Sequence, residues 1–277
     1  MGNYLKLAAA AAIMIAGPTV ALAKAPTSKA ATRVARLGGH PNLNGIWQVM
    51  NTANWNLEPH DAKGSPVSPR LLGAIGAIPP GLGVVEGGAI PYKPEALKKR
   101  DENRAKAPTA DPEAACYLPG IPRATYMSYP FQIIQAQDGD ILMAYEYASA
   151  NRVIQMKPVE VPPIDTWMGT SYGTWEGDTL KVVTLSQNGM TWLDRSGNFA
   201  TGGATITERF KPIDADHMTY EVTIDDPATY TRPWKISMPL YRNIDPKAEI
   251  LDFRCVPFSE ELLYGDLLAD KDKYPKK

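Results

Sequence analysis

Histidine and cysteine are scarce, with three of one and two of the other in 277 residues. His40, His60 and His217 stand far apart, and none has a second histidine at ligand spacing. Neither a metal site nor a histidine-based catalytic dyad is therefore expected. A Gly-x-Ser-x-Gly elbow, a phosphate loop and a dinucleotide fingerprint are all missing, so no cofactor is expected. The formal net charge is −1, and no basic stripe alternates with aromatics, which argues against nucleic acid as a partner. Beyond the first two dozen residues, no apolar run is long enough to cross a bilayer.

That first stretch has a character of its own. Lys6 precedes an apolar run from Leu7 to Ala16, Gly17-Pro18 breaks it, and Ala21-Leu22-Ala23 follows, the pattern of a secretory signal peptide cut after Ala23. The expected address is periplasmic or secreted, and no membrane span is expected after cleavage. Residues 24–40 lack periodicity and read as a disordered leader. In an oxidising compartment an even cysteine count suggests that Cys116 and Cys255 pair. On the chain-entropy model a loop of that length contributes roughly 5 kcal/mol.

Residues 41–256 read as one β domain. A first strand spans Asn44 to Met50. Residues 52–115 are rich in proline and glycine and form an irregular wrapping segment, interrupted by one polar helix that starts at Pro94. Short strands then alternate with turns: 131–137 and 140–148 around Asp138-Gly139, 151–156, a hairpin over 169–184 around Gly177-Asp178, 203–213, 217–225, 232–242 and 249–256. In 217–225, Met218, Tyr220, Val222 and Ile224 share one face, and polar residues share the other. About ten such strands with one or two short helices predict an all-β fold. A single antiparallel barrel is preferred and a sandwich is the alternative. Residues 257–277 read as a short helix and a charged tail.

An ordered series of motifs, Asn-Leu-Asn-Gly-Ile-Trp (42–47), Gly173-Thr174-Trp175-Glu176-Gly177-Asp178-Thr179-Leu180 and Asp226-Pro227 through Tyr230-Thr231-Arg232-Pro233-Trp234, resembles a family of exported bacterial proteins without an assigned activity. The likeness implies export and one domain. Where that family often carries histidines, this chain has Thr170-Ser171, Thr201-Gly202-Gly203 and Cys255-Val256-Pro257. Gly45-Ile46-Trp47 also resembles the first strand of lipocalins, which implies a small calycin-like barrel with a tryptophan at one end.

Two sets of residues carry the functional expectation. Glu146 shares a strand face with Leu142 and Ala144, while Met143, Tyr145 and Tyr147 share the other. If Glu146 is internal it needs Arg123, Arg152 or Arg209 as a partner. Such a pair could only fix register, or it could anchor a ligand in an apolar pocket. The aromatics Tyr126, Trp167, Trp175, Trp192 and Trp234 suit a flat ligand, with Trp167 to Ser171 the favoured stretch. Expected ligand-binding residues are thus Arg123, Tyr126, Glu146, Arg152, Trp167, Ser171, Trp175, Trp192 and Trp234. Glu176 is read as solvated or paired with a neighbouring cation.

The favoured function is binding of a hydrophobic or aromatic small molecule in the barrel interior. The alternative is a cofactor-free lyase, isomerase or hydrolase, with Glu146 as general base and Arg152 or Tyr145 steadying negative charge. An envelope scaffold without a ligand is a third reading.

Overall fold

Nine strands whose inward positions alternate with outward ones curl until the last meets the first. The structure, a computed structural model, describes residues 34–64, 77–107, 110–157, 160, 163–257, 259 and 262. The signal segment, most of the leader and nearly all of the C-terminal helix and tail lie outside the described residues. Elements β1 (Arg36–Leu37) and β2 (His40–Pro41) form a two-stranded ladder. The barrel comprises β3 (Gly45–Gln48), β4 (Phe131–Gln135), β5 (Ile141–Tyr145), β6 (Asn151–Gln155), β7 (Thr170–Glu176), β8 (Thr179–Leu185), β9 (Thr205–Pro212), β10 (His217–Asp225) and β11 (Trp234–Arg242). Its order is β10-β11-β3-β4-β5-β6-β7-β8-β9, closed. The helices are α1 (Pro94–Ala105) and α2 (Arg123–Tyr126), and a 3-10 turn spans Pro112–Ala115.

The expected all-β barrel is present, with one departure from an antiparallel ladder. β6 and β7 run parallel, with Ile154 opposite Ser171. Parallel neighbours need a connection that returns to the starting end, and residues 156–169 supply it. Two further expectations are corrected. Residues 249–256 form no strand: β3 already pairs with both β11 and β4, so closure leaves no edge for another strand to extend. Within the leader, residues 34–40 are ordered. Arg36 bonds Asp178 at 2.9 Å, and His40 stacks on Trp175 at 4.6 Å.

Strand directions give the barrel two unlike ends. One end holds short connections, including the two-residue Gly177-Asp178 turn, where Gly177 takes a φ of 62°. The other end receives the long segments that join β3 to β4, β8 to β9 and β10 to β11. There α2 is wholly buried, and a reciprocal amide pair holds its approach: Ile121 N donates to Gln187 Oε1 at 2.7 Å, and Gln187 Nε2 donates to the Ile121 carbonyl at 2.8 Å. Trp47, 1% exposed, lies under the Arg242 guanidinium at 4.3 Å. The Cys116–Cys255 disulfide forms as expected.

Much of the interior is closely packed by the barrel's own side chains. A residue bordering a water-sized void keeps some accessible surface, whereas Ile154, Val182, Phe210, Tyr220, Val222 and Ile224 keep none. Burying each large apolar side chain stabilises the fold by about 1.5–3 kcal/mol.

Candidate functional site

A guanidinium and a carboxylate do meet inside the barrel, but the carboxylate is Glu208. On β9, Ile206, Glu208 and Phe210 alternate inward and each is at most 1% exposed. On β6, Arg152 and Ile154 also face inward and are buried. Arg152 Nη1 and Nη2 donate to the two Glu208 oxygens at 2.6 and 2.9 Å, a bidentate charge-assisted pair. Tyr220 OH donates to Glu208 Oε1 at 2.7 Å. Ser171 and Thr184 are 2.9 Å apart and lie 3.5 and 3.4 Å from Arg152 Nη1. Burial opposes the Arg152 charge, but Glu208 outweighs it and the guanidinium pKa is raised. Burial raises the phenols of Tyr220 and Tyr145, so both stay protonated donors. Among the described residues Arg152 Nε has no hydrogen-bond partner.

Glu146 occupies a different place. In β5 the inward residues are Ile141, Met143 and Tyr145, so Glu146 belongs to the outward set with Leu142 and Ala144. The chain leaves the sheet there, and Glu146 Oε2 accepts from Leu251 N at 3.2 Å. The expected pairing of Glu146 with an interior arginine is thus corrected. Arg152 and Tyr145 point inward, Glu146 does not, and these three do not converge. Arg209 faces outward and lies 3.4 Å from Glu176, which Lys181 also meets at 3.1 Å. The Gly177-Asp178 corner is accordingly a turn beside a solvated ion cluster.

A second buried charge network sits in the cap. Arg123 donates to Asp111 at 2.9 and 2.8 Å, to Glu113 at 2.5 Å and to Asn54 at 2.8 Å. Arg195 also donates to Glu113, at 2.8 and 2.6 Å. Burial pushes the Glu113 carboxyl up, yet Arg123 and Arg195 pull harder and its pKa falls below 4.5. Asp194, fully buried, is raised above 3.8 by burial, and bonds from Asn198 and Leu57 N offset only part of that rise. Arg123 was expected among ligand-binding residues; here its donors are taken by the cap.

The aromatics divide between core and surface. Tyr126 is buried and donates to the Leu193 carbonyl at 2.7 Å. Trp234 is 2% exposed and meets Tyr230 edge-on at 5.4 Å, and Trp192 is also buried. Trp175 is half-buried against His40. Trp167 alone of the expected tryptophans lies outside the core and outside the sheet: it stacks on Tyr117 with centroids 4.8 Å apart and planes 9° apart. Tyr117 is 52% exposed. Ser171 and Arg152 come together within the barrel, whereas Arg123, Trp192 and Tyr126 gather in the cap.

Sequence reasoning missed Glu208, although a signal was available. A glutamate flanked two residues away on each side by Ile206 and Phe210 sits on the apolar face of a strand. It missed Tyr117 as well, because a stack between residues 50 positions apart leaves no local trace. Comparison with protein-family models, with curated proteins and with solved structures returns no match.

Proposed function

We propose that the protein is an exported binding module, periplasmic or secreted, that captures a hydrophobic or aromatic small molecule at the capped end of its barrel. The carrying observation is the Tyr117–Trp167 stack, which presents a half-exposed aromatic surface on loops. Stacked rings of this kind accept another flat ring on an outer face at low entropic cost. The motif likeness to exported bacterial proteins and the disulfide agree with the proposed address. The close packing of inward side chains such as Ile154, Val182 and Phe210 is the reason for seating the molecule at the rim instead of among the strands.

Titration of tryptophan fluorescence with planar aromatic, terpenoid and steroid compounds tests this reading. A quench by at least one class is expected, and Tyr117→Ala is expected to weaken it by about 1 kcal/mol, roughly fivefold. Binding that ignores both Tyr117→Ala and Trp167→Leu refutes the rim site. An unresponsive panel favours the second reading, a scaffold without a ligand, which the close packing of the inward side chains supports.

A further inference from the structure

We infer that the Cys116–Cys255 disulfide is a reducible clasp, which holds residues 243–257 as a strap over Tyr129 and Tyr147. The inference does not rest on the ligand reading.

The barrel does not need this bond to close. Every ladder of the barrel lies between Gly45 and Arg242, and neither cysteine belongs to one of its strands. After Asn243 N donates to the Ile46 carbonyl at 2.8 Å, the chain leaves the sheet, and no residue from 243 to 257 is buried. A segment that buries so little has little to hold it except its ends. Among the described residues, its hold at the far end comes from the disulfide, a ring contact and a hydrogen bond. Phe253 meets the Tyr129 and Tyr147 rings at 4.9 and 5.1 Å, and Leu251 N donates to Glu146. Glu146 therefore serves as a latch for the strap.

Cys116 and Cys255 are each partly exposed, so a dithiol reductant can reach them. One reductant thiolate attacks one protein sulfur, the protein S–S bond breaks, and a mixed disulfide forms. The second reductant thiol then closes the reductant's own disulfide and releases the remaining protein thiol. Two electrons pass to the protein, and two cysteine thiols result. The strap then leaves, baring two tyrosine rings beside the Glu146 carboxylate while the barrel stays closed.

Trypsin cleavage after the exposed Lys247 and Arg254 provides the test, run on the full chain oxidised, on the same chain in dithiothreitol, and on Cys255→Ser. Reduction is expected to speed cleavage roughly tenfold or more, because proteolysis follows the population of the opened segment. Hydrogen exchange should rise around Tyr129 and Tyr147, with the far-UV circular dichroism unchanged. Equal cleavage rates in oxidised and reduced protein would overturn the clasp. So would loss of the barrel signal on reduction, which makes the bond a staple of the whole fold. Oxidised Phe253→Ala should stay protected; fast cleavage there assigns the hold to the ring instead of the disulfide.

Discussion

Arg152 and Arg123 are both buried guanidiniums, yet one sits within a hydrogen-bonded sheet and the other holds together chain that has none. Around the Arg152–Glu208 pair each group sits on a strand: Glu208 on β9, Tyr220, which bonds Glu208, on β10, and Ser171 and Thr184 beside Arg152 on β7 and β8. The backbone ladder places these residues whether or not the charges attract. Around Arg123 the partners are Asp111, Glu113 and Asn54, and these lie in irregular segments that the sequence marks with proline and glycine. There the ion cluster is itself the scaffold. A buried charge in a ladder can be exchanged for a well-packed apolar side chain, whereas a buried charge in a loop cluster has no backbone substitute.

The sharpest way to break that contrast is to remove the cap's cation. Arg123→Met leaves Asp111 and Glu113 buried with less compensation, and a loss of roughly 5 kcal/mol in urea unfolding is expected. Segments 51–64 and 110–127 should become protease-sensitive before the strands do. A variant whose cap and barrel melt together, with a small loss, would abolish the distinction.

The barrel pair allows a cycle. Arg152→Met and Glu208→Leu should each cost about 3–4 kcal/mol, because each strands the other's charge in a dry interior. The double variant should be more stable than either single one, since the Tyr220 hydroxyl is the main group left unpaired. Additive losses in the double variant would show that the strands rely on this pair as the cap relies on Arg123.

Acid offers a smaller, sharper discriminator. The Glu113 pKa is lowered in the fold, so its contribution is present above 4.5 and disappears as pH falls through the folded value. The Asp194 pKa is raised, so its contribution has the opposite sign: full below 3.8 and lost as pH rises through its folded value. The net acid limb should thus be shallow, and Glu113→Gln should flatten it further as pH falls below 4.5. Thermal unfolding across that range checks this, and an unchanged slope in Glu113→Gln would remove Glu113 from the account.

Much of the barrel was legible because strand periodicity is local. The segment 217–225 is β10 to the residue, and 203–213 and 232–242 exceed β9 and β11 only at their ends. The same reasoning left Arg123, Arg152 and Arg209 open as the interior cation and chose Glu146 over Glu208, since it weighed the face of β5 without deciding which side met the core. Residues 249–256 alternate well enough to resemble a strand, yet a closed sheet has no edge to receive them. The cap was legible only as irregular chain. Asp111, Glu113, Arg123 and Arg195 come from separate turns, loops and the short helix α2, and no spacing rule connects Glu113 and Arg195, joined across 82 positions.

By itself the sequence determined where strands run, which of their faces are dry, where the chain turns and which two cysteines are available to pair. Periods of two and turn chemistry act over a few residues, so neighbours in the chain suffice to reveal them. Tertiary structure alone decided which carboxylate meets Arg152, that β6 and β7 run parallel, and that Tyr117 stacks on Trp167. Each of those outcomes follows from closing the sheet and folding long connections over one end, which brings together residues that have no local influence on one another.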